Sequence, residues 1–261
     1  MSAIADYYTR GRAGSGYTRV MTRRNLQIAF IALVLGGGAF VYFGLQDYAS
    51  EWNIPVITDD VPAATEPDPA PPAFDKTRHS LADASSIWVV ANKQRPLEPP
   101  RYAPADLVSV GGGQQMRAEP AAALAAMFAA AQAEGLALQP LSGYRSYARQ
   151  QTVYNNYVST YGQDEADTFS AKPGHSEHQT GLAIDIGGGG CGIEECFGNT
   201  PHGKWVAANA YKYGFIIRYP AGKQDATGYK YEPWHIRYVG IELATEMHNQ
   251  NILTLEEFFG L

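Results

Sequence analysis

PGHSEHQTGLAIDI at residues 173–186 and YEPWHIRYV at residues 231–239 carry the strongest structural signals in this sequence. Apolar and polar residues alternate over 182–186 and four glycines follow, which is typical of a strand that ends in a loop. Residues 231–239 also predict a strand, in which Pro233 indicates an edge position or a bulge. Because both stretches carry histidine and carboxylate side chains, we expect the functional site on these two strands.

Helices and short strands alternate through the rest of residues 76–261. The pattern predicts further strands over 136–141 and 215–220, and helices over 120–134, 146–161, 205–213 and 251–259. The first helix is the clearest, because it is rich in alanine, has Pro120 near its start and meets Gly135 at its end. Regular strand–helix–strand units are missing from the pattern. This favours an α+β domain with a small, mainly antiparallel sheet flanked by helices.

Four side chains on the two strongest stretches suit a metal site. His178 lies seven residues before Asp185, and Glu232 lies three before His235. Two histidines and one aspartate are a suitable ligand set for Zn²⁺, and they leave the open fourth position that a catalytic zinc requires. Glu232 is then placed to transfer protons without being a ligand. Residues three apart on a regular strand face opposite sides, so a shared site requires a bulge near Pro233.

Composition and charge narrow the class of protein. The chain has 261 residues, 45% of them apolar, and a formal net charge of −6, which excludes wholesale disorder and argues against a nucleic-acid partner. Residues 1–24 hold five arginines and one aspartate, whereas residues 25–46 hold no charge. Those 22 uncharged residues would span roughly 33 Å as a helix, enough to cross a bilayer. Seven acidic residues follow within 47–75. Arginines before the uncharged run and acids after it predict that the N-terminus lies inside the cell.

Four segments are therefore expected. They are a cytoplasmic basic segment at 1–24, a transmembrane signal anchor at 25–46, a proline-rich acidic linker at 47–75 and a domain at 76–261 exposed outside the cytoplasm. A cleaved signal peptide is the main alternative to the anchor, although the apolar run exceeds the usual 7–15 residues and no clear cleavage motif follows it. A buried core helix is a weaker alternative, because three consecutive glycines at 36–38 weaken a soluble helix.

The motifs, taken in order, resemble a known enzyme family. The pattern S-x-H-x-x-G-x-A-x-D runs from Ser176 to Asp185, and E-x-x-H follows at Glu232 and His235. SGYRS at 142–146 and the block from 205 to 240 add to the likeness. From residue 85 to 245 the chain resembles the VanY-type zinc D-alanyl-D-alanine carboxypeptidases, of the superfamily named for lysostaphin, D-Ala-D-Ala carboxypeptidases and sonic hedgehog. The resemblance implies the hedgehog/D-Ala-D-Ala peptidase-like fold, here preceded by one transmembrane helix.

The same resemblance implies a role for the residues that match the metal-site motifs. His178, Asp185 and His235 would bind one zinc ion. Glu232 would be the general base that activates water and would then protonate the leaving amine. The ligand set alone would also accept another divalent ion.

The resemblance further implies a set of substrate contacts. Arg145 would face the substrate and stabilise the developing oxyanion, a role for which a fixed guanidinium is well suited. Ser176 would help to hold the terminal carboxylate of the substrate. Aromatic residues line the cleft in this family, and the candidates here are Tyr144, Tyr231 and Trp234.

Cys191 and Cys196 lie in the glycine-rich segment that follows the strand at 182–186. In an exported domain we expect a disulfide that closes this small loop. A metal role is disfavoured, because the chain holds no further sulfur ligand of the cysteine type.

These observations together predict a membrane-anchored, zinc-dependent D,D-carboxypeptidase that removes the terminal D-Ala from peptidoglycan stem peptides. An L,D-carboxypeptidase acting on tetrapeptide stems is the nearest alternative, followed by an endopeptidase and by a peptidoglycan-binding module without turnover. The expected partners are stem peptides and, through the N-terminal helix, the membrane. We expect no nucleic-acid partner, a monomer, and a single-pass protein whose C-terminal domain lies on the cell-wall side of the bacterial membrane.

Overall fold

The computed structural model describes residues 73–261. The predicted basic segment at 1–24, the predicted anchor at 25–46 and most of the predicted linker lie outside the described residues. Within residues 73–261, no helix is both long enough and apolar enough to cross a membrane.

Residues 73–261 form six strands and seven α-helices. The strands are β1 (Leu107–Gly111), β2 (Gln114–Arg117), β3 (Gln139–Ser142), β4 (Ala183–Gly187), β5 (Phe215–Tyr219) and β6 (Glu232–Tyr238). The helices are α1 (Ala118–Ala133), α2 (Tyr147–Tyr161), α3 (Gln163–Phe169), α4 (Pro201–Asn209), α5 (Gln224–Thr227), α6 (Ile241–Asn249) and α7 (Leu255–Phe259). Short 3-10 turns lie at Glu177–Thr180, Glu195–Asn199 and Ala210–Tyr213.

The strands form two small antiparallel sheets. β1 and β2 make a hairpin, and the main sheet has the strand order β3-β4-β6-β5 with every neighbouring pair antiparallel. The prediction of an α+β fold with a small antiparallel sheet is therefore confirmed. The predicted strand at 136–141 is shifted along the chain and becomes β3, and the sequence patterns did not predict the β1–β2 hairpin.

β6 is an inner strand, because it pairs with β4 on one side and with β5 on the other. Ile217 pairs with Ile236 but Tyr219 pairs with Glu232, so a step of two residues along β5 corresponds to a step of four along β6. This register shift is a bulge around Pro233, as predicted. The alternative prediction of an edge position was wrong: Pro233 needs no ladder partner at the bulge, so an inner strand accommodates it.

The main sheet has one apolar face and one polar face. Ile184 and Ile186 of β4 and Ile236 of β6 pack with side chains of α1 and α4 in the larger core. The alternate residues of the same strands, Asp185 and His235, are buried on the opposite face. Strands that are buried on both faces hold few charged residues, so the charged residues on this face mark it as the functional one.

Two glycines bring the surrounding loops close to this polar face. Gly181 ends the 3-10 turn that carries His178, with a left-handed φ of 70° that favours glycine. A Cβ on Gly143 would lie 2.4 Å from the carbonyl oxygen of Gln115, so only glycine fits at that position. The carbonyl oxygen of Gly143 lies 2.9 Å from Nδ1 of His178, so the loop after β3 passes directly beside this histidine.

The helices agree with the predictions in position more than in their ends. The predicted helix at 120–134 is α1, which begins two residues earlier, and Ser146 is the N-cap of α2 rather than its first residue. The predicted helix at 205–213 is divided into α4, which begins at Pro201, and a 3-10 turn. The final predicted helix begins at Leu255, where Thr254 caps it. Helices α3, α5 and α6 were not predicted.

Candidate metal centre and active site

His178, Asp185 and His235 converge on the polar face of the main sheet. Their ligand atoms lie within 4.8 Å of one another, and all three residues are buried. His178 comes from the 3-10 turn before β4, Asp185 from β4 and His235 from β6, where Asp185 and His235 are paired across the ladder. We call these three residues, together with Glu232, the ligand cluster.

The distances within the ligand cluster fit one tetrahedral metal ion. His178 Nε2 lies 3.4 Å from one carboxylate oxygen of Asp185, and His235 Nδ1 lies 3.0 Å from the other. Two atoms that each bind a zinc ion at about 2.0 Å in tetrahedral geometry lie roughly 3.3 Å apart. Two imidazole nitrogens and a carboxylate are also a donor set that zinc accepts. The residues present therefore fit a zinc ion with an open fourth position.

The two histidines present different ring nitrogens to the centre. Nδ1 of His178 donates to the carbonyl oxygen of Gly143 at 2.9 Å, which leaves Nε2 free to face Asp185. Nδ1 of His235 faces Asp185, and its Nε2 points away from the centre toward Glu177. A partner on the far nitrogen of each ring is the usual way in which a protein orients a metal-binding imidazole.

Burial and mutual charge shift the pKa values of the ligand cluster strongly. Burial disfavours the Asp185 carboxylate, yet the neighbouring histidines hold its pKa far below the usual range. Burial lowers the pKa of His178. Burial also opposes charge on His235, but the neighbouring Asp185 and Glu177 carboxylates raise its pKa to about 9. A divalent cation would compete with that proton, because Nδ1 of His235 is the ring nitrogen that faces the centre.

Glu232 stands next to the three candidate ligands. Its carboxylate oxygen lies 4.0 Å from Nδ1 of His235, and the residue is only 8% exposed. Burial raises the pKa of Glu232 to about 7, although His235 opposes the rise. The bulge at Pro233 is what turns Glu232 and His235 toward the same space. A carboxyl group with a pKa near neutrality is suited to accept and return a proton.

A cavity of about 270 Å³ opens over the ligand cluster. Three of the predicted substrate contacts line it, namely Arg145, Ser176 and Trp234. The Arg145 guanidinium donates to Gln150 Oε1 at 2.9 Å and to Ser142 Oγ at 2.8 Å, so it is held in place at the cavity wall. Its burial lowers its pKa, a shift that the Asp185 carboxylate opposes.

The other two predicted aromatic contacts lie elsewhere. Tyr144 is absent from the lining of this cavity, and Tyr231 lines a separate hollow beside α4 with Pro233 and Lys204. The structure places Tyr219 and Tyr229 in the wall of the cavity instead. Nothing in the local sequence separates these tyrosines from the others, because whether a tyrosine packs in the core or faces the cleft is decided by the folded sheet.

Cys191 and Cys196 form a disulfide, with their Cα atoms 6.1 Å apart. The loop that this disulfide closes reaches the cavity, since Ile193 is part of its lining. Ile193 is 46% exposed, as expected for a residue at the mouth of a cleft.

A second buried polar cluster lies behind His235 and was missed by the sequence analysis. It consists of Glu177, Arg218, Arg237 and Glu256, which we call the arginine network. The side chains of Glu177, Arg218 and Arg237 are 0% exposed and that of Glu256 is 5% exposed. One signal could have found it: Arg218 and Arg237 interrupt the apolar runs FIIRY and HIRYV, and a buried arginine requires an acidic partner.

Comparison with known proteins agrees with this geometry. The VanY family, described as D-alanyl-D-alanine carboxypeptidase, matches residues 113–241. The carboxypeptidase-family protein YodJ of Bacillus subtilis strain 168 is 48% identical over 191 residues, which cover 69% of this chain and 69% of YodJ.

The solved structures that are similar to this chain include two carboxypeptidases of different selectivity. The LdcB LD-carboxypeptidase is 48% identical with a TM-score of 0.63, and the match covers 68% of this chain and 87% of that one. A VanY D,D-pentapeptidase from a VanB-type vancomycin resistance cassette, solved with Zn(II), is 35% identical with a TM-score of 0.59. That match covers 68% of this chain and 99% of the pentapeptidase.

An antiparallel sheet that brings a His-Asp-His group beside a buried glutamate has the residues that a zinc metallopeptidase requires. Within that class, the chain belongs to the VanY family of D-alanyl-D-alanine carboxypeptidases. The resemblance inferred from the motifs, and with it the prediction of an enzyme, is confirmed.

Proposed function

We propose that this protein is a zinc-dependent D,D-carboxypeptidase that releases the terminal D-Ala from peptidoglycan stem peptides. The observation that carries the proposal is the convergence of His178, Asp185 and His235 within 4.8 Å of one another beside the buried Glu232. Membership of the VanY family supports the substrate class. The cavity volume of about 270 Å³ suits the end of a peptide rather than a whole protein substrate.

His178 Nε2, an oxygen of Asp185 and His235 Nδ1 would hold the zinc ion. When bound there, zinc supplies Lewis-acid polarisation of the scissile carbonyl and lowers the pKa of water from about 15.7 to about 7. The VanY pentapeptidase solved with Zn(II) supports the choice of metal. The Gly143 carbonyl keeps the proton of His178 on Nδ1, so the ring presents its lone pair to the ion.

Glu232 moves the protons of the reaction. As the attacking water adds to the carbonyl carbon of the penultimate residue, the Glu232 carboxylate takes one of its protons. When the carbon–nitrogen bond breaks, the same carboxyl group gives that proton to the amine of the departing D-Ala. The raised pKa of Glu232, about 7, suits both directions of transfer, because such a group can both accept and donate a proton near neutral pH.

Arg145 and Ser176 orient the substrate around this chemistry. Arg145 projects a positive charge into the cavity from a position fixed by Gln150 and Ser142, which suits the negative charge that develops on the carbonyl oxygen. Ser176 is 4% exposed and lines the cavity one residue before the 3-10 turn that carries His178. There it holds the terminal carboxylate of the peptide.

An L,D-carboxypeptidase that removes D-Ala from tetrapeptide stems is a second candidate. The observation that favours it is the 48% identity to the LdcB LD-carboxypeptidase, compared with 35% to the VanY pentapeptidase. Both activities use the same ligand cluster and the same proton transfer. They differ only in the residue that precedes the scissile bond.

Release of free D-Ala tests the proposal directly. The zinc-loaded protein is incubated separately with a pentapeptide stem ending in D-Ala-D-Ala and with a tetrapeptide stem ending in one D-Ala, with Glu232→Gln as the blank. Release from the pentapeptide alone establishes the D,D-enzyme, and release from the tetrapeptide alone establishes the L,D-enzyme. No release from either peptide by zinc-loaded protein would refute both candidates.

We also propose that the domain is anchored in the cell membrane and faces the cell wall. The uncharged run at 25–46 supports the anchor, and the arginines before it support the orientation. A protease added to intact cells should cut the C-terminal domain, and alkaline carbonate should leave the full-length chain in the membrane fraction. A shorter mature chain recovered from the medium would instead establish the cleaved signal peptide.

A further inference from the structure

On the side of the His235 ring that points away from the metal ligands, two buried atoms face one another, one from His235 and one from Glu177. His235 Nε2 lies 3.7 Å from Glu177 Oε2, and both atoms are shielded from solvent. Neither atom has a hydrogen-bond partner among residues 73–261. Buried nitrogen and carboxylate oxygen atoms are rarely left unpaired, because each loses its bonds to water on folding. The pair is therefore poised to close into a hydrogen bond.

The carboxylate of Glu177 is held in this direction by its other oxygen. Oε1 accepts from Arg218 Nε at 2.7 Å and from Arg237 Nη1 at 2.7 Å. Two short bonds from guanidinium groups to one oxygen leave the second oxygen free to face the histidine ring. Glu177 itself lies beside His178 on the 3-10 turn, so its backbone is fixed by the same turn that carries a candidate ligand.

Segments outside the family match fix the two arginines in turn. Arg218 makes a two-pronged contact with Glu256 on α7, at 2.8 and 2.7 Å. Nη2 of Arg237 donates to the carbonyl oxygens of Ile87 and Val89, at 3.0 and 2.8 Å. These partners all lie before residue 113 or after residue 241, the limits of the match to the VanY family. Segments on both sides of the matched region therefore support the ligand cluster from behind.

We propose that Glu177 is the positioning residue for His235. The carboxylate accepts a hydrogen bond from Nε2–H of His235, which fixes the proton on Nε2 and directs the Nδ1 lone pair at the metal. Holding the ring tautomer and orientation in this way raises the affinity of the site for a metal ion. The inference rests on the proposed function for the identity of the bound ion, and it extends that function to the arginine network.

The first test compares two variants of the full-length chain that each remove one buried carboxylate bonded to Arg218. In Glu177→Gln, the amide oxygen stays on the two arginines, because an NH2 group there would face their N–H donors. The NH2 group then faces Nε2–H of His235, and the hydrogen bond to the ring is lost. In Glu256→Gln, the same charge is removed at a residue that does not touch His235. Zinc affinity is measured by competition with a chromophoric chelator, and folding of each metal-free variant is checked by circular dichroism.

We expect Glu177→Gln to bind zinc about 10- to 100-fold more weakly than wild type, the usual effect of removing such a partner, and Glu256→Gln to stay within about threefold. Equal losses in the two variants, or no loss in either, would overturn the inference and leave the proposed function standing. Failure of the wild-type protein to bind zinc would overturn both.

A second measurement requires no variant and decides the question should Glu177→Gln not fold. Nitrogen-15 NMR of histidine-labelled wild-type protein, loaded with zinc, reports which ring nitrogen of His235 carries the proton. We expect the proton on Nε2, protected from exchange with water, and an Nε2–Oε2 distance that shortens to about 3 Å in a zinc-bound crystal structure. A proton on Nδ1, or rapid exchange at Nε2, would overturn the inference.

Discussion

The ligand cluster and the arginine network lie on opposite sides of the His235 ring and bury charge in different ways. The arginine network pairs two guanidinium groups with two carboxylates through bonds of 2.7 to 2.8 Å. Its charges cancel within the protein. The ligand cluster instead combines two carboxyl groups with two imidazoles, and the cavity opens above it.

The pKa values express the same difference. In the arginine network, the Arg218 guanidinium overcomes burial and lowers the pKa of Glu256. In the ligand cluster, burial raises the pKa of Glu232 to about 7, and the nearby carboxylates raise that of His235 to about 9, so this cluster retains protons near neutral pH. In the metal-free protein these protons offset the negative charge of the two carboxyl groups, and a divalent cation would compete with them.

The largest expected effect belongs to the proton-transfer residue of the ligand cluster. Glu232→Gln keeps the size of the side chain but removes the base, so we expect kcat/KM for D-Ala release to fall by about 10³-fold. Zinc affinity should change little, because Glu232 is not among the three convergent ligands. Turnover near the wild-type rate, measured with a D-amino acid oxidase assay, would show that Glu232 does not transfer the protons of the reaction.

Breaking the arginine network should lower the stability of the fold. Arg218→Met leaves Glu177 and Glu256 without a shared partner, and an uncompensated buried charge typically costs about 3–5 kcal/mol of unfolding free energy. Lys223→Met is the matched control, since it breaks the exposed pair with Glu257 and should cost less than about 1 kcal/mol. Urea unfolding measures both values, and similar costs for the two variants would contradict the contrast between buried and exposed pairs.

Glu232 in the ligand cluster and Glu256 in the arginine network should change stability with pH in opposite directions in the metal-free protein. The pKa of Glu232 is raised from 4.5 to about 7 on folding, so its contribution to stability is complete below pH 4.5 and is lost as the pH rises through 7. Glu232→Gln should therefore match wild type near pH 4.5 and be more stable by about 3 kcal/mol at pH 8, at about 1.4 kcal/mol per pKa unit.

Glu256 provides the opposite case, because its pKa is lowered. Its contribution is present above pH 4.5 and is lost as the pH falls, so Glu256→Gln should destabilise the protein at pH 8 and less so in acid. Urea unfolding of both variants in the presence of a chelator, at pH 5 and pH 8, measures the two slopes. Slopes of the same sign would contradict the charge assignment of the two clusters.

The smallest effect is expected at the disulfide, whose loop borders the cavity above the ligand cluster. Cys191 and Cys196 close a loop with a sequence separation of 5, for which chain-entropy arguments give about 2 kcal/mol of stabilisation. The double change Cys191→Ser and Cys196→Ser should lower stability by that amount. It should raise KM more than it lowers kcat, because Ile193 on the loop lines the cavity. A large fall in kcat with KM unchanged would contradict this assignment.

Much of the fold and of the site could be predicted from local patterns. The α+β class follows from the irregular order of helices and strands. The bulge at Pro233 follows from the need to turn two residues three apart toward one space. The two ends of helices α1 and α2 were predicted to within two residues, because proline, glycine and an N-cap serine act locally.

The arginine network was missed for a physical reason. Arg218 meets Glu177, which is 41 residues away in the chain, and Glu256, which is 38 away. No short motif spans such distances. The pairing of β5 with β6 puts the two arginines on neighbouring strands, and the 3-10 turn at Glu177–Thr180 and helix α7 carry the two glutamates to them. The placement of Tyr144 and Tyr231 outside the cavity has the same origin, since their surroundings come from distant elements.

The kinds of side chain at the candidate site could be identified from the sequence alone, because short motifs name them. The spacing of His178, Asp185, Glu232 and His235 suggested a metal site, and the resemblance of the motifs to the VanY family strengthened that prediction. Only the tertiary structure decided which nitrogen of each histidine faces the centre and which buried charges balance one another. Those features depend on contacts between residues far apart in the chain, and such contacts exist only once the sheet has formed.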